Sequence, residues 1–462
     1  MESGKRPRGG VRGIQEGVPS LGGEHLTSEG GFDLSRPKYV PDDFAASIRR
    51  GRIRAGDVLI VKDGATTGKT ALVRDDFPHP EAVANEHLFV CRPLEGLSSR
   101  FIAEFLRSPE GQRRVLSHFK GAAQGGINRE FAAGTVVPVP PAAEQRRIAD
   151  RLDEVESRRE SVVAYLQSAR AGLKRLRGEV LSAVYTGRLT ADWRERHPPS
   201  GSEGLPALAR ERRRAEDKRF AVPPLNPHAA TSLLPEAWEI VPLGLVLRGL
   251  KYGTSKRSAY DQPGVGVLRI PNVSAGVLDI EDLKFANLDQ REMDGLRLEE
   301  GDLLMIRSNG SVRLVGKTAS VTSAGEGMAY AGYLIRLRVD RELMDPAFLR
   351  LLLASPQLRR QIEIPARSTS GVHNINREEI RALGLPLAPR AEQDEIVRRA
   401  TGALEVIERL SAKLNDLEAT LHRIHQAAQE KAFRGDLVAT EATLAAAENR
   451  DFESAAELLR RI

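Results

Sequence analysis

The chain repeats itself at an offset of 248 residues, and each copy runs into a long helical pattern. Ile127-Asn128-Arg129-Glu130 recurs as Ile375-Asn376-Arg377-Glu378. Glu144-Gln145 with Ile148 recurs as Glu392-Gln393 with Ile396, and Gly187-Arg188-Leu189 as Gly435-Asp436-Leu437. A duplicated unit predicts two similar domains related by a pseudo-two-fold axis. Two similar working ends suit a protein that holds two things at a set separation better than an enzyme with one active site.

Residues 142–185 lack proline and carry two isolated glycines, Gly172 and Gly178. Their apolar side chains recur every seven residues. One series is Ile148, Val155, Val162, Ala169, Leu176 and Ala183; the other is Leu152, Leu166, Leu173 and Val180, broken by Arg159. The second copy gives Ile396, Ala403, Leu410, Leu417 and Ile424, with Ala400, Ile407, Leu414, Leu421 and Ala428. Spacings of 3 and 4 sustained over five heptads make a coiled-coil seam. Stripes of this length exceed what a compact domain of this size covers, so the two helices are expected to pair antiparallel with each other. Pro141 and Pro389 stand at the helix starts, and Gly187 and Gly435 at the ends. The expected interface is Ile148, Leu152, Val155, Leu166, Leu173, Ile396, Ile407, Leu414 and Leu421.

These signals divide the chain into a first α+β domain (1–141), a first long helix (142–186) and a polar linker (187–233). A second α+β domain (234–389), a second long helix (390–434) and a tail (435–462) follow. Val58–Val61, Leu88–Cys91 and Thr135–Val139 read as strands, and Ser99–Leu106 as a helix. Ser108-Pro109 and Ser355-Pro356 each start a helix, serine as cap and proline at its first turn. In the tail, Ala445–Ala447 and Ala455–Leu459 read as a short helix. Val18-Pro19-Ser20-Leu21 matches Ile270-Pro271-Asn272-Val273 best, which leaves only Met1–Gly17 opposite Leu234–Arg269. Either the first domain is naturally short or the start lies inside a longer reading frame.

An apolar fraction of 41% supports real cores, and the 29% charged residues fit exposed helices. A net charge of +6 permits a nucleic-acid partner without requiring one. The single cysteine, Cys91, follows an apolar run and reads as a core residue, so a reducing, cytoplasmic setting is expected. Met1–Val18 has no signal-peptide character, and no apolar run reaches membrane-spanning length.

No catalytic constellation emerges. Gly64-Ala65-Thr66-Thr67-Gly68-Lys69-Thr70 falls one residue short of a phosphate loop, and its counterpart, ending in Gly316-Lys317-Thr318, differs in length. Methyltransferase and helicase signatures are missing. His422 and His425 flank the seam and are expected to face solvent or a partner rather than a metal. What remains are polar, basic loops at matching places. The first domain offers Lys62, Thr66, Thr67, Lys69, Lys120, Gln124, Asn128 and Arg129. The second offers Arg307, Asn309, Arg313, Lys317, Arg367, Asn374, Asn376 and Arg377. Thr254, Ser255 and Lys256 lie on a further loop, 252–257, without a visible counterpart. Arg and Lys suit phosphates or guanine edges, and Asn or Gln suit adenine. Any one loop could be an ordinary turn; recurrence with different residues favours two related readers of two sequences.

The arrangement resembles the DNA-specificity subunit of type I restriction–modification systems. Gly56-Asp57-Val58-Leu59-Ile60 with Gly301-Asp302-Leu303-Leu304-Met305, the Ser-Pro helices, the helix starts at 141–145 and 389–393, and Gly187–Arg194 carry the resemblance over nearly the whole chain. It implies two target-recognition domains reading a split, asymmetric site in double-stranded DNA, with paired helices setting the gap. It implies two modification subunits that carry S-adenosylmethionine and methylate adenine, and restriction subunits that use ATP and Mg. The chain itself would be non-catalytic, binding no metal or cofactor. A related system with methylation and cleavage fused in one partner stays open, as does a coiled-coil scaffold without DNA function; an enzyme with an unrecognised site is the weakest option.

Overall fold

A computed structural model describes all residues except 122–124, 199–203, 230–233 and 367–370. The chain divides into two compact units: Met1–Gln167 with Leu414–Ile462, and Ser168–Lys413. The division cuts both long helices, so each unit holds an α+β domain and a stretch of each helix.

In the first unit the strands are β1 (Glu2–Ser3), β2 (Val18–Leu21), β3 (Tyr39–Val40), β4 (Val58–Val61), β5 (Thr70–Leu72), β6 (Val83–Ala84) and β7 (Leu88–Cys91). They form a four-stranded sheet β1-β7-β4-β5 and a three-stranded sheet β3-β2-β6. The second unit has β8 (Glu239–Pro242), β9 (Leu247–Tyr252), β10 (Val265–Leu268), β11 (Lys284–Ala286), β12 (Leu303–Ile306), β13 (Ser308–Asn309), β14 (Thr318–Ser320), β15 (Ala329–Tyr330), β16 (Leu334–Val339), β17 (His373–Asn374) and β18 (Gly384–Leu387). Its sheets β9-β16-β12-β14 and β11-β10-β15 repeat the first unit's order strand for strand. The pairs β13-β17 and β8-β18 are added.

The repeated Gly-Asp has a structural cause. Gly56 and Gly301 take left-handed φ of 86° and 87°, a conformation open to glycine, at the turns into β4 and β12. The buried Asp57 and Asp302 then accept from the backbone of Arg54 and Glu299, both at 2.9 Å. Each carboxylate also grips an arginine near the neighbouring strand, Arg92 at 2.7 Å or Arg338 at 2.7 Å. The β4 and β12 residues are all buried, as central strands covered on both faces must be. Ser108 and Ser355 cap helices Pro109–Leu116 and Pro356–Glu363 from Gly111 N and Leu358 N.

The structural match corrects the N-terminal alignment. Ser20 and Leu21 pair in parallel with Val83 and Ala84 as Val267 and Leu268 pair with Ala329 and Tyr330, so Val18–Leu21 corresponds to Val265–Leu268 and not to Ile270–Val273. β1 then stands where β9 stands, each on the edge of the larger sheet. The loop after β9 therefore does have a counterpart: Lys5 N donates to Ala84 O as Thr254 N donates to Tyr330 O. Gly4 and Gly253 are forced there, because a Cβ would fall within 2.5 Å of backbone carbonyl oxygens in both.

Thr135–Val139 forms no strand. Its counterpart β18 pairs with β8, and the described residues of the first unit contain no equivalent of β8. The strand propensity is present and the hydrogen-bonding partner is not, leaving Val136 70% exposed. The tail forms two helices rather than one, Glu441–Glu448 and Ala455–Arg461.

The long helices span Ala142–Thr186 and Arg390–Arg434, and run antiparallel within each unit. In the first, Ile148 and Leu152 cluster with Ala432, and Glu156 meets His425 at 3.2 Å. In the second, Arg177 meets Glu408 at 3.3 Å, and Leu181, Val184 and Tyr185 join Ile396, Ala400, Leu404 and Ile407 in one core. One heptad series on each helix lies inward as expected. The other is displaced by one position: Leu404, Glu418, His425 and Ala432 turn inward, while Leu410, Leu417 and Ile424 are 43–55% exposed. On the first helix Val163 is the inward residue and Val162 and Leu176 face out. An α-helix drifts about 20° per heptad, so a stripe fixed by spacing alone can belong to either neighbouring face.

The Glu-Gln at each helix start is an anchor. Gln145 accepts from Ser98 N at 2.9 Å and donates to Pro140 O; Gln393 accepts from Asp345 N at 2.7 Å and donates to Leu343 O and Ala388 O. Glu144 accepts from Glu441 N, and Glu392 from Thr190 Oγ1 and Trp238 Nε1. Each acid thus holds the segment that follows the other long helix, which explains the repeated motif there.

Candidate nucleic-acid interface

In the second unit, strand β12 ends at Ile306 and delivers Arg307 to a polar surface. The Arg307 backbone donates to Tyr333 O at 3.0 Å and accepts from Ile375 N at 2.9 Å. Its guanidinium donates to Gly332 O at 2.9 Å and to Asn374 Oδ1 at 3.0 Å, and lies 4.8 Å from the Tyr252 ring centroid. Nη2 makes no hydrogen bond with the described residues. The Tyr252 hydroxyl accepts from Arg377 N at 2.9 Å. β13 and β17 pair Ser308 with Asn374 and Asn309 with His373. Arg307, Asn309, Asn374, Asn376 and Arg377 therefore share one surface, with Tyr252 and Tyr333 beside them. The tyrosines are 39% and 63% exposed and are the members that sequence reasoning left out. Their signal was weak: single aromatics with no period, brought together by strand pairing.

The first unit builds the same frame with other side chains. Lys62 takes the place of Arg307: its N–H donates to His87 O at 2.9 Å and its carbonyl accepts from Ile127 N at 2.7 Å. Its ammonium stands 6.0 Å from the Phe89 ring centroid and 3.9 Å from Asp63. Asp63 bridges Gly126 where Ser308 pairs with Asn374, and its carboxylate meets His87 Nδ1 at 2.5 Å. Arginine, serine, tyrosine and asparagine in one unit thus correspond to lysine, aspartate, histidine and glycine in the other.

The remaining expected residues separate into bound and open groups. Asn376 caps the helix Arg377–Arg381 through Glu379 N, and Asn128 accepts from Glu130 N while donating to Glu130 Oε2. The repeated Ile-Asn-Arg-Glu is thus a strand-to-helix corner, with Ile127 and Ile375 buried. Lys69 donates to Leu26 O and Lys317 to Ser274 O, so the Gly-Lys-Thr lysines tie down a neighbouring loop. Lys256 is paired with Glu292 at 2.7 Å, Lys120 with Glu130 at 3.5 Å, and Thr67 donates to Gly64 O. Asn309 accepts from Ser311 N, and Thr254 from Lys256 N. Thr66, Arg129, Ser255, Arg313 and Arg377 are exposed. Gln124 and Arg367 lie outside the described residues.

Burial pushes the Cys91 thiol up to about 11, away from thiolate reactivity. Groups of three or more His, Cys, Asp or Glu able to hold a metal are absent among the described residues. His425 does not face solvent: it is half-buried against Glu156, and burial lowers its pKa.

Comparison with known proteins agrees with this frame. A family model described as the type I restriction modification DNA specificity domain matches residues 26–162. The EcoKI specificity subunit of Escherichia coli K12 is 27% identical over 487 residues, covering 100% of this chain and 96% of the relative. The StySPI specificity subunit of Salmonella potsdam is 26% identical, covering 94% and 85%. A chain solved in work on complex assembly and conformational transition of the type I R-M system shares the fold at a TM-score of 0.67 and 20% identity, covering 95% and 96%. The HsdS subunit from Thermoanaerobacter tengcongensis matches at a TM-score of 0.50 and 20% identity, covering 95% of each chain. With the repeated motifs, the duplicated frame and these relatives in agreement, the chain is similar over its whole length to the DNA-specificity subunits of type I restriction–modification systems.

Proposed function

We propose that the two units read the two halves of a split, asymmetric site in double-stranded DNA, and that the chain itself is non-catalytic. One observation carries this reading: the same strand frame presents Arg307, Ser308, Tyr333 and Asn374 in one unit and Lys62, Asp63, His87 and Gly126 in the other. Arginine offers paired donors to a guanine edge, whereas a lysine beside an aspartate offers a single ammonium and an acceptor suited to cytosine. One scaffold with two donor–acceptor sets selects two different half-sites, and the paired helices set the gap between them.

The same helices offer the docking surface for two modification subunits. In the first unit Val162, Tyr165, Leu417 and Ile424 project outward, and in the second Leu176, Val406 and Leu410 do so. Exposed apolar side chains repeated on helices suit helical partners. The modification subunits carry S-adenosylmethionine, and restriction subunits supply ATP- and Mg-dependent cleavage. The test is an adenine-methylation map of the host genome with and without this gene. Loss of one split motif is expected; an unchanged map in cells expressing the complete complex would overturn the reading.

A further inference from the structure

The second unit also contains a cleft that none of Arg307, Asn309, Asn374, Asn376 and Arg377 lines. Its volume is ≈ 480 Å³, and Arg177, Arg313, Lys317, Arg350 and Arg359 line it with a single acid, Glu408. The cations are not equally free. Arg359 is held by Glu363 at 2.7 Å and by Val315 O at 2.7 Å, and Lys317 by Ser274 O. Glu408 meets Arg177 at 3.3 Å. Arg350 is half-buried and has no hydrogen-bond or ion-pair partner among the described residues, and the Arg313 guanidinium has none either.

A half-buried arginine normally finds a carboxylate, since an uncompensated charge out of water is costly. Arg350 has no such pair: burial lowers its pKa, the like charge of Arg177 lowers it further, and the field of Glu408 offsets them only in part. The first unit does not repeat the arrangement. Ala103 stands at the place of Arg350, and His425 at that of Arg177. The neighbouring acids there, Glu104 and Glu156, are paired with Arg107 and Arg159. The excess charge is therefore peculiar to one unit and is not demanded by the fold.

We propose that Arg350, with Arg177 and Arg313, forms a phosphate-binding site in the second unit, and that its ligand is a backbone phosphate of the DNA read by the Arg307 surface. The residues 307–317 form one loop running from that surface to Arg313 and Lys317, so one duplex could meet both. The proposal rests on the DNA-reading function for its source of phosphate, though not for its chemistry. A free phosphate or nucleotide would present the same group. A phosphate contact at Arg350 positions the duplex without specifying bases.

The test measures binding of the full chain, in complex with its modification subunits, to a cognate and a scrambled duplex across a salt series. Arg350→Gln is expected to weaken both several-fold, by the same factor, and to flatten the log K against log salt slope by about 1. Arg350→Lys, which keeps the charge, is expected to recover most of the loss. Wild-type affinity and slope in Arg350→Gln would overturn the DNA source. A second arm follows thermal melting of the full chain in inorganic phosphate. Protection that Arg350→Gln abolishes would keep the site with a free anion as its ligand. No protection, together with unchanged DNA binding, would overturn the site altogether. Failure of the wild type to distinguish the duplexes would count against DNA reading instead, while uniform weakening by Arg350→Gln would still report the phosphate site.

Discussion

Arg307 is firmly held on the surface proposed to read DNA. Two hydrogen bonds and a tyrosine ring hold its guanidinium, leaving Nη2 outward. Arg307→Ala is expected to cost about 1–3 kcal/mol of cognate binding and to relax one position of one half-site. Arg377→Ala should instead weaken all sequences alike, and a binding-site selection on each variant separates the two outcomes. Asp302 has a different role, closing the turn into β12 while gripping Arg338. Asp302→Ala removes these bonds from a buried turn while Arg338, partly exposed, keeps Glu299 and Arg297 O as partners, so unfolding should require roughly 1–3 kcal/mol less, read by denaturant titration. His425 sets a pH response. Burial keeps its folded pKa below the ordinary value near 6.5; Glu156 opposes this, and Arg107, Arg159 and His422 add to it. A depressed folded pKa means that the unfolded chain takes up the proton first. This contribution to stability is full above about pH 6.5 and is lost as pH falls from there through the folded pKa. Between pH 7.5 and 6 the melting temperature of the chain should fall more steeply than that of His425→Gln; parallel curves would refute this.

At the scale of the element, the two faces of the long helices predict opposite behaviour. Leu166 is 7% exposed in the first unit, and a charge placed there should cost several kcal/mol, roughly 3, and loosen the helix pair. A charge at the outward Leu417 should leave melting nearly unchanged and weaken capture of the modification subunit, measured by co-purification. The sequence showed where these helices start and stop, because Pro141, Pro389, Gly187 and Gly435 act locally. It left one of two stripes ambiguous, since spacing alone does not separate faces that differ by a slow drift. Strands were legible where a run was wholly apolar, as in Val58–Val61. Thr135–Val139 misled because a strand requires a partner, and local sequence does not say whether one is present. The surface around Arg307 was half legible: its charged loops recur, but Tyr252 and Tyr333 join only through the pairing of distant strands. The recurring Asn128 and Asn376 mark helix corners, a reminder that repetition records architecture as readily as recognition.

At the scale of the whole molecule, one unit is continuous in sequence and the other is not. Ser168–Lys413 is one uninterrupted stretch, whereas Met1–Gln167 shares its unit with Leu414–Ile462. Arg147 pairs with Glu441 at 2.6 Å, and Glu144 receives the Glu441 backbone, so the last residues close the unit that the first residues open. Exchanging the polar loops of the second unit for those of a relative should change one half of the methylated motif and leave the other intact. Removing residues 441–462 should expose the first unit to limited proteolysis while the second stays resistant. This discontinuity also fixes an order of events during synthesis. The second unit has all its parts once residue 413 has left the ribosome, but the first, although begun earlier, must wait for residues 414–462. In the interval the strands of the first unit lack the helix stretch and tail that cover them. The unit begun earlier is thus the later of the two to mature, and on the ribosome it is the one longer exposed to aggregation.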